Sequence, residues 1–203
     1  MPKVVDHEQR RDEIADALWR VVLRDGVAAA SVRTVSAEAG WSTGAIRHYF
    51  SSQDELMAFA MTTLGERAKA RVQQRLDALD REQADLEALV EVLGEVLPLD
   101  AQRKAESEVW LALLASARTH EHLRALADDA HRSLRGLCDG VVRHLAHDAA
   151  ADLDVVGETD RLHGLLDGLA VHGTMYPRQL PRTRLRAAVR AHLTDLAVRA
   201  GTV

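Results

Sequence analysis

The segment from Ser31 to Leu56, SVRTVSAEAGWSTGAIRHYFSSQDEL, constrains the fold of this 203-residue chain more than any other part of its sequence. Ser31 is placed to cap a helix over residues 32–39, because its hydroxyl can accept a backbone N–H of the first helical turn. Gly40 suits the left-handed position that follows the end of a helix. Ser42 is placed in the same way to cap a second short helix. The segment therefore predicts two short helices joined by a tight glycine turn.

A third helix is expected directly after this pair. Ser52 and Glu55 have the spacing of a capping box, in which the two side chains accept backbone N–H groups reciprocally. Two helices joined by a tight turn form a shape that fits the major groove of DNA. The side chains of the second helix that could reach DNA are Ser42, Thr43, Arg47, His48 and Tyr49. An ordinary helical hairpin with serine caps explains the same pattern without DNA, so the pattern alone leaves both interpretations open.

Small and apolar residues of the segment predict how its two helices pack. Ser36 and Gly40 are four positions apart, where we expect the helices to cross and only small residues to fit. Val32, Val35 and Ile46 are expected to fill the space between the helices.

Residues 32–56 also follow a longer framework, V-R-x-[IV]-A-x-x-A-G-[VW]-S-x-G-x-[IL]-x-x-[HY]-F-x-x-K-x-x-L. The positions that match it are Val32, Arg33, Val35, Ala39, Gly40, Trp41, Ser42, Gly44, Ile46, Tyr49, Phe50 and Leu56. On this match the segment resembles the DNA-binding domain of the tetracycline-repressor (TetR) family. Ser36 stands where alanine is usual, and Gln53 stands where a lysine usually approaches a phosphate. Arg47 occupies a position often held by tyrosine.

The resemblance implies a helix–turn–helix DNA-binding domain in residues 1–52 and a helical domain for ligand binding and dimerisation in residues 53–203. It also implies double-stranded operator DNA as a partner. The residues expected to contact that DNA are Ser31, Arg33, Ser42, Thr43, Gly44, Arg47, His48 and Tyr49.

Net charge does not mark the chain as a general nucleic-acid binder. The whole chain has a formal net charge of −5, and residues 1–60 hold seven Lys/Arg against nine Asp/Glu, a net of −2. Non-specific attraction to phosphates is therefore modest, and DNA binding must depend on a local patch. Within residues 31–50 the only acid is Glu38. The cations that could form the patch are Lys3, Arg10, Arg11, Arg33 and Arg47.

The remaining sequence predicts an all-α fold of about nine helices, since no segment alternates with period two for long enough to form a sheet. The helices expected after the motif cover residues 52–79, 85–96, 100–117, 121–145, 158–175 and 182–200. No apolar run is long enough to span a membrane, the N-terminus lacks a signal-peptide core, and the single cysteine, Cys138, cannot form an internal disulfide. A cytoplasmic protein is expected, and an arginine-to-lysine ratio of 23 to 3 is typical of a GC-rich bacterial genome.

The last two helices carry apolar stripes at helical spacing, and Gly164, Gly168 and Gly173 leave room for close helix approach. The residues of the two stripes are Leu162, Leu165, Leu166, Leu169, Leu185, Val189, Leu193 and Leu196. Such stripes can face the chain's own core or a symmetry mate, and the sequence alone favours the core. The family resemblance implies instead that these residues form the interface of a homodimer.

The segments EVWLALLASARTH and LLDGLAVHGTMYPRQLP resemble the C-terminal domain of the BetI-like branch of the family. This resemblance implies a pocket for a small-molecule effector of unknown identity. The candidate lining residues are Trp110, Cys138, His163, His172, Met175 and Tyr176, although each of them is also compatible with plain core or interface.

Histidine pairs were considered as metal ligands. His120 with His122, and His144 with His147, lack a third ligand nearby, so we expect surface histidines and neither a metal nor a cofactor. An enzyme is disfavoured because neither G-x-S-x-G, H-E-x-x-H nor a phosphate-binding glycine loop occurs. A purely structural dimerising protein is the other alternative. The sequence predicts a dimeric, ligand-responsive transcriptional repressor.

Overall fold

A computed structural model describes residues 7–79, 85–146 and 153–201. These residues form nine α-helices and one short 3₁₀ helix, and they contain no strand, which confirms the predicted all-α fold. The helices are α1 (His7–Asp25), α2 (Val32–Ala39), α3 (Thr43–Tyr49), α4 (Gln53–Asp77), α5 (Leu86–Gly94), α6 (Ala101–Ser116), α7 (Glu121–Ala146), α8 (Val155–Met175) and α9 (Arg182–Arg199), with the 3₁₀ helix at Val27–Ala29. No helix in these three stretches is both long and apolar enough to cross a membrane.

Side-chain caps define the two short helices as predicted. The Ser31 hydroxyl accepts the backbone N–H of Thr34 at 3.2 Å, and the Ser42 hydroxyl accepts that of Ala45 at 3.1 Å. Gly40 ends α2 with φ at 72°, in the left-handed region. One element of this cap was not predicted. The Thr34 hydroxyl accepts the N–H of Ser31 at 2.9 Å, which completes a capping box.

The start of α4 is also capped, with one difference from the expected geometry. The Ser52 hydroxyl accepts the N–H of Glu55 at 3.1 Å, as predicted. The Glu55 carboxylate, however, accepts the N–H of Ser51 at 2.6 Å, one residue before the cap. This hydrogen bond from Ser51 is the main reason that the pKa of Glu55 lies below its usual value.

The described chain divides into two compact units. The first unit comprises Met1–Arg67 and Glu108–Asp128, and the second comprises Ala68–Ser107 and Asp129–Val203. The unit that holds α1 to α3 therefore also includes parts of α4, α6 and α7, which a domain of residues 1–52 leaves out.

The first unit has one hydrophobic core. Its fully buried side chains come from α1, α2, α3, α4, α6 and α7, and the largest of them are Ile14, Leu18, Ile46, Leu56, Met61, Leu113 and Leu123. Val35 and Ile46 are fully buried and Val32 is partly buried, as predicted for the space between α2 and α3.

The close helix contact predicted at Gly40 does not occur, although the one predicted at Ser36 is consistent with its burial. Ser36 is buried, and its hydroxyl donates to the carbonyl of Val32 at 2.5 Å. Gly40 is exposed, and a Cβ added there would meet no atom within 4 Å. The glycine is required by the positive φ of the turn rather than by close packing of two helices.

The second unit has its own core, built from α5, α7, α8 and α9. Gly173 lies at a close contact of α8, because an added Cβ would be 2.8 Å from Leu185 and 2.9 Å from Pro98. Buried Glu158 of α8 forms ion pairs with Arg161 and with Arg199 of α9. These contacts hold α9 against α8 within one chain.

Candidate DNA-binding surface

Helix α3 is anchored by a single fully buried residue, Ile46. The residues at its start and along its outer side are exposed, because an isolated seven-residue helix can bury only one narrow stripe. The predicted DNA contacts that are exposed are Arg33, Ser42, Thr43, Gly44, Arg47 and His48. The other two, Ser31 and Tyr49, are partly buried. The structure therefore brings the predicted residues of α3 together on an accessible surface.

A row of ring contacts connects α3 to the rest of the first unit. The Tyr49 ring meets the Trp41 ring edge to face, with centroids 6.2 Å apart, and the His48 ring with centroids 5.6 Å apart. On the other side of Trp41, the guanidinium of Arg10 lies 5.1 Å from the centroid of the indole. Edge-to-face aromatic pairs and cation–π contacts are each favourable, so this row restricts the orientation of Tyr49.

Glu38, the acid that precedes α3, is neutralised by two arginines of α1. Glu38 accepts hydrogen bonds from Arg24 at 2.8 Å and from Arg20 at 2.7 Å. These two contacts hold the pKa of Glu38 below its usual value, so the carboxylate stays ionised and paired. Among the described residues, no carboxylate lies within 4.0 Å of Arg33 or Arg47. The positive charge of this surface is therefore available to a phosphate or a base.

Comparison with known proteins identifies the family. Residues 14–59 match the bacterial regulatory proteins of the tetR family, and residues 85–198 match the C-terminal domain of the BetI-type transcriptional repressors. The chain is 37% identical to the HTH-type transcriptional regulator PksA of Bacillus subtilis over an alignment of 203 residues. This alignment covers 98% of this chain and 95% of PksA. The chain belongs to the TetR family.

Two solved structures of other proteins share this fold. A regulator from Rhodococcus sp. Rha1 has a TM-score of 0.78 at 28% identity, over 92% of this chain and 95% of that one. The multidrug binding protein EbrR, in complex with malachite green, has a TM-score of 0.68 at 28% identity, over 93% and 98% of the two chains. The family consists of transcriptional regulators and not of enzymes, which confirms the predicted DNA-binding regulator.

The residues expected to form the dimer interface of this TetR-family protein lie in α8 and α9 of the second unit. Seven of the eight are buried inside a single chain, in the core of the second unit: Leu162, Leu166, Leu169, Leu185, Val189, Leu193 and Leu196. Leu165 is partly buried against the same core. These side chains pack against one another within the single chain, and their contact with a second subunit stays a prediction. Helical spacing correctly identified a buried stripe, but it does not say which chain buries it.

The outer faces of the same two helices carry a different stripe of small and apolar residues. On α8 these exposed residues are Gly164, Gly168, Val171 and Met175, and on α9 they are Ala187, Ala191, Thr194 and Val198. Both sets follow the i, i+4, i+7, i+11 spacing that places residues on one helix face. An added Cβ at Gly164 or Gly168 would meet no atom within 4 Å, so neither glycine is explained by packing inside the chain.

The predicted ligand-binding residues are divided between the two compact units. Trp110 is partly buried against the core of the first unit, whereas Cys138 and His163 are buried in the second unit. His172 is exposed, and so are Met175 and Tyr176, at 61% and 53% of their surface. The role of all six residues in ligand binding stays a prediction.

The two buried candidates have perturbed acid–base chemistry. Burial raises the pKa of the Cys138 thiol to about 12, so the thiol stays protonated and is a poor nucleophile. The His163 ring packs against that of His131 with centroids 4.6 Å apart and planes tilted by 44°, and its Nε2 lies 3.6 Å from Asp167. Burial is also the main cause that lowers the pKa of His163, which favours a neutral ring at pH 7.

Metal-binding geometry is absent from the part of the chain that the structure describes, where no group of three or more His, Cys, Asp or Glu could hold an ion. His147, which was paired with His144 as a possible metal ligand, lies outside the described residues. Lys3, a predicted cation of the DNA-binding patch, also lies outside them.

Proposed function

We propose that this TetR-family regulator is a repressor that binds a palindromic operator as a homodimer and is released from it by a small molecule. The observation that carries the proposal is the exposed surface of α3, where Thr43, Arg47 and His48 stand on a helix anchored through Ile46. An exposed polar helix face whose arginine has no carboxylate within 4.0 Å among the described residues is complementary to the electronegative major groove.

Two classes of DNA contact are assigned on this surface. Thr43, Arg47 and His48 contact base edges, and an arginine that reaches a guanine can form two parallel hydrogen bonds to its O6 and N7. The residues around them bind phosphates and set the register of the helix: Ser31, Arg33, Ser42, Gly44 and Tyr49. Gln53, the exposed first residue of α4, cannot supply the charge of the family's usual lysine. Affinity therefore depends more strongly on Arg33 and Arg47.

A homodimer through the outer faces of α8 and α9 is supported by their apolar exposure. Five of the seven exposed large hydrophobic residues in the described chain lie on or next to these helices: Val156, Val171, Met175, Tyr176 and Val198. Large apolar side chains at high exposure favour contact with a partner. The one polar residue of the stripe on α9, Thr194, already donates its hydroxyl to the carbonyl of Arg190 at 2.9 Å, so a partner helix can cover it without losing a hydrogen bond. Two-fold symmetry then presents two copies of α3 to a palindromic site.

Release by a small molecule is supported by the relationship to EbrR, which was solved with malachite green at 28% identity to this chain. A ligand that binds the BetI-type region, residues 85–198, weakens DNA binding only if its affinity differs between the DNA-bound and free conformations. Helices α4, α6 and α7 each contribute residues to both compact units, and α4 is the one that begins directly after α3, so a displacement along α4 can reach α3.

The proposal is tested by selecting a binding site from a random double-stranded DNA library with the wild-type protein, and then measuring its affinity by fluorescence anisotropy. We expect Arg47→Ala to weaken binding by about 1–3 kcal/mol, which is roughly 5- to 150-fold, because it removes a base contact. Tyr49→Phe should weaken it to a smaller extent through the lost hydroxyl.

The matched control is Arg178→Ala, which removes the same charge from an exposed position of the second unit. Its affinity should remain within about twofold of the wild type, since surface charges outside the interface contribute little. Unchanged affinity in both Arg47→Ala and Tyr49→Phe would show that α3 is not the recognition helix.

A further inference from the structure

Two neighbouring arginines of α1 lie on aromatic rings of the first unit. The Arg10 guanidinium carbon is 5.1 Å from the centroid of Trp41, in the turn before α3, and that of Arg11 is 4.7 Å from the centroid of Phe59 in α4. The two arginines have the same charge and the same kind of contact. They differ in which element they lie against, and only the ring under Arg10 belongs to the helix–turn–helix.

The contact with Trp41 leaves the hydrogen-bonding capacity of Arg10 free for another group, as far as the described side chains show. A cation–π contact occupies none of the five N–H donors of a guanidinium, whose planar fork matches a phosphate. Among the described side chains, no carboxylate lies within 4.0 Å of Arg10 to occupy those donors. The side chain is therefore already held in place and still able to bind an anion, which lowers the entropy lost on binding.

Trp41 connects Arg10 to the recognition helix. It directly precedes Ser42, the cap of α3, and its ring contacts that of Tyr49 near the other end of the same helix. Both Trp41 and Arg10 are partly exposed, so neither is sealed inside the core. The ring row thus places a cation beside a helix that is expected to lie in the major groove, where the nearest anions are the flanking phosphates.

Several other arginines of the first unit are already paired with acids. Arg20 and Arg24 are committed to Glu38, and Arg67 pairs with Asp16 at 3.2 Å. With a lysine missing at Gln53 and a net charge of −2 over residues 1–60, the surface needs another phosphate contact to bind DNA.

We propose that Arg10 binds a DNA phosphate beside α3 and that Trp41 is a positioning residue that holds it there. This inference rests on the proposed function, since it requires α3 to lie in the groove. It extends the DNA-binding surface from α2 and α3 to the first helix.

The test is the salt dependence of binding to the DNA site selected by the wild-type protein. Each phosphate contact contributes about 0.9 to the slope of log K against log salt concentration. Arg10→Ala should lower that slope by about 0.9, so its affinity deficit at 50 mM salt should shrink by about 3.5-fold at 200 mM salt. Arg11→Ala is the matched control, and we expect it to keep the wild-type slope.

Two further variants separate charge from position. Arg10→Lys should retain the slope, because an ammonium also neutralises a phosphate, but bind more weakly, because it loses the planar fork. Trp41→Leu should lower affinity with Arg10 present and have a smaller effect in the Arg10→Ala background, since the two residues act as one unit. Circular dichroism melts establish that each variant is folded at the assay temperature.

The outcomes distinguish the two proposals. If wild type selects a site and Arg47→Ala loses affinity, but Arg10→Ala and Arg11→Ala have the same slope, the role of Arg10 is refuted while α3 stands as the recognition helix. If wild type selects no DNA site, the proposed function itself is refuted.

Discussion

Gly168 offers the sharpest test of the homodimer, because its replacement should have opposite effects on the fold and on the assembly. The residue lies on the exposed face of α8, where an added Cβ would meet nothing within 4 Å in the single chain. Leucine is a better helix former than glycine by about 0.7 kcal/mol, so Gly168→Leu should stabilise the isolated chain by roughly that amount. For a chain of this length the gain corresponds to about 1–3 °C in the unfolding midpoint.

The dimer should respond in the opposite direction. If α8 of one subunit packs closely on a partner helix at this glycine, each leucine overfills the interface, at a cost of about 1–3 kcal/mol. Two-fold symmetry places the substitution in the interface twice, which gives about 2–6 kcal/mol per dimer. The dimer Kd should therefore rise by about 30-fold to 10⁴-fold.

Sedimentation velocity over a range of protein concentrations measures this Kd. The matched control is Gly140→Leu, at an exposed glycine of α7 that also has nothing within 4 Å of an added Cβ. It should gain similar helix stability and leave the dimer Kd unchanged. A Gly168→Leu protein whose Kd remains within threefold of the wild type would refute the assignment of this face to the interface, and it would leave the exposed stripe on α8 without an explanation.

Two predictions concern stability within one chain. The free energy of unfolding of Gly173→Ala should be lower than that of Gly140→Ala by about 1–3 kcal/mol, because the added Cβ would lie 2.8 Å from Leu185 and 2.9 Å from Pro98. Urea titrations measure this difference, and equal midpoints for the two variants would refute the close packing. Glu158→Gln should cost about 1–3 kcal/mol at pH 7 and should flatten the loss of stability in acid. The hydrogen bond from Arg199 is the main cause that lowers the pKa of Glu158. The contribution of ionised Glu158 to the free energy of unfolding is therefore complete above the usual glutamate pKa of about 4.3, and it is lost as the pH falls through the lower pKa of the folded state. Urea titrations between pH 3 and pH 7 measure this difference, and parallel profiles for wild type and variant would contradict it.

The DNA-binding motif was predictable because its determinants are local. Ser31, Gly40 and Ser42 act on backbone groups within three or four residues of themselves, so their spacing alone specifies two capped helices and the turn between them. The exposure of Arg47 and His48 follows from the position of Ile46 in a short helix, which is also a local property. The one element missed there, the Thr34 hydroxyl, belongs to a variant of the capping box that lacks the usual acidic residue.

The assignments that local spacing leaves open depend on which elements meet in space. The spacing of Leu162, Leu166 and Leu169 shows that one face of α8 is buried, but a stripe buried in the chain's own core and a stripe buried by a partner have the same period. Trp110 illustrates the same problem, because its helix, α6, contributes residues to both compact units and no local pattern marks where one unit ends. The exposure of Gly164 and Gly168 on the outer face of α8 follows from the burial of these leucines in the core, which requires the three-dimensional structure.

The attachment of α3 through buried Ile46 and partly buried Tyr49 has a consequence for how such regulators diversify. Positions 43, 44, 47 and 48 are exposed, so substitutions there change what the helix recognises without changing what holds it in place. New operator preferences can therefore arise by single substitutions, with no compensating change in the core, because the requirements for recognition and for folding fall on different residues of the same two turns. A chain built in this way can acquire new target genes while its stability and its mode of assembly stay the same.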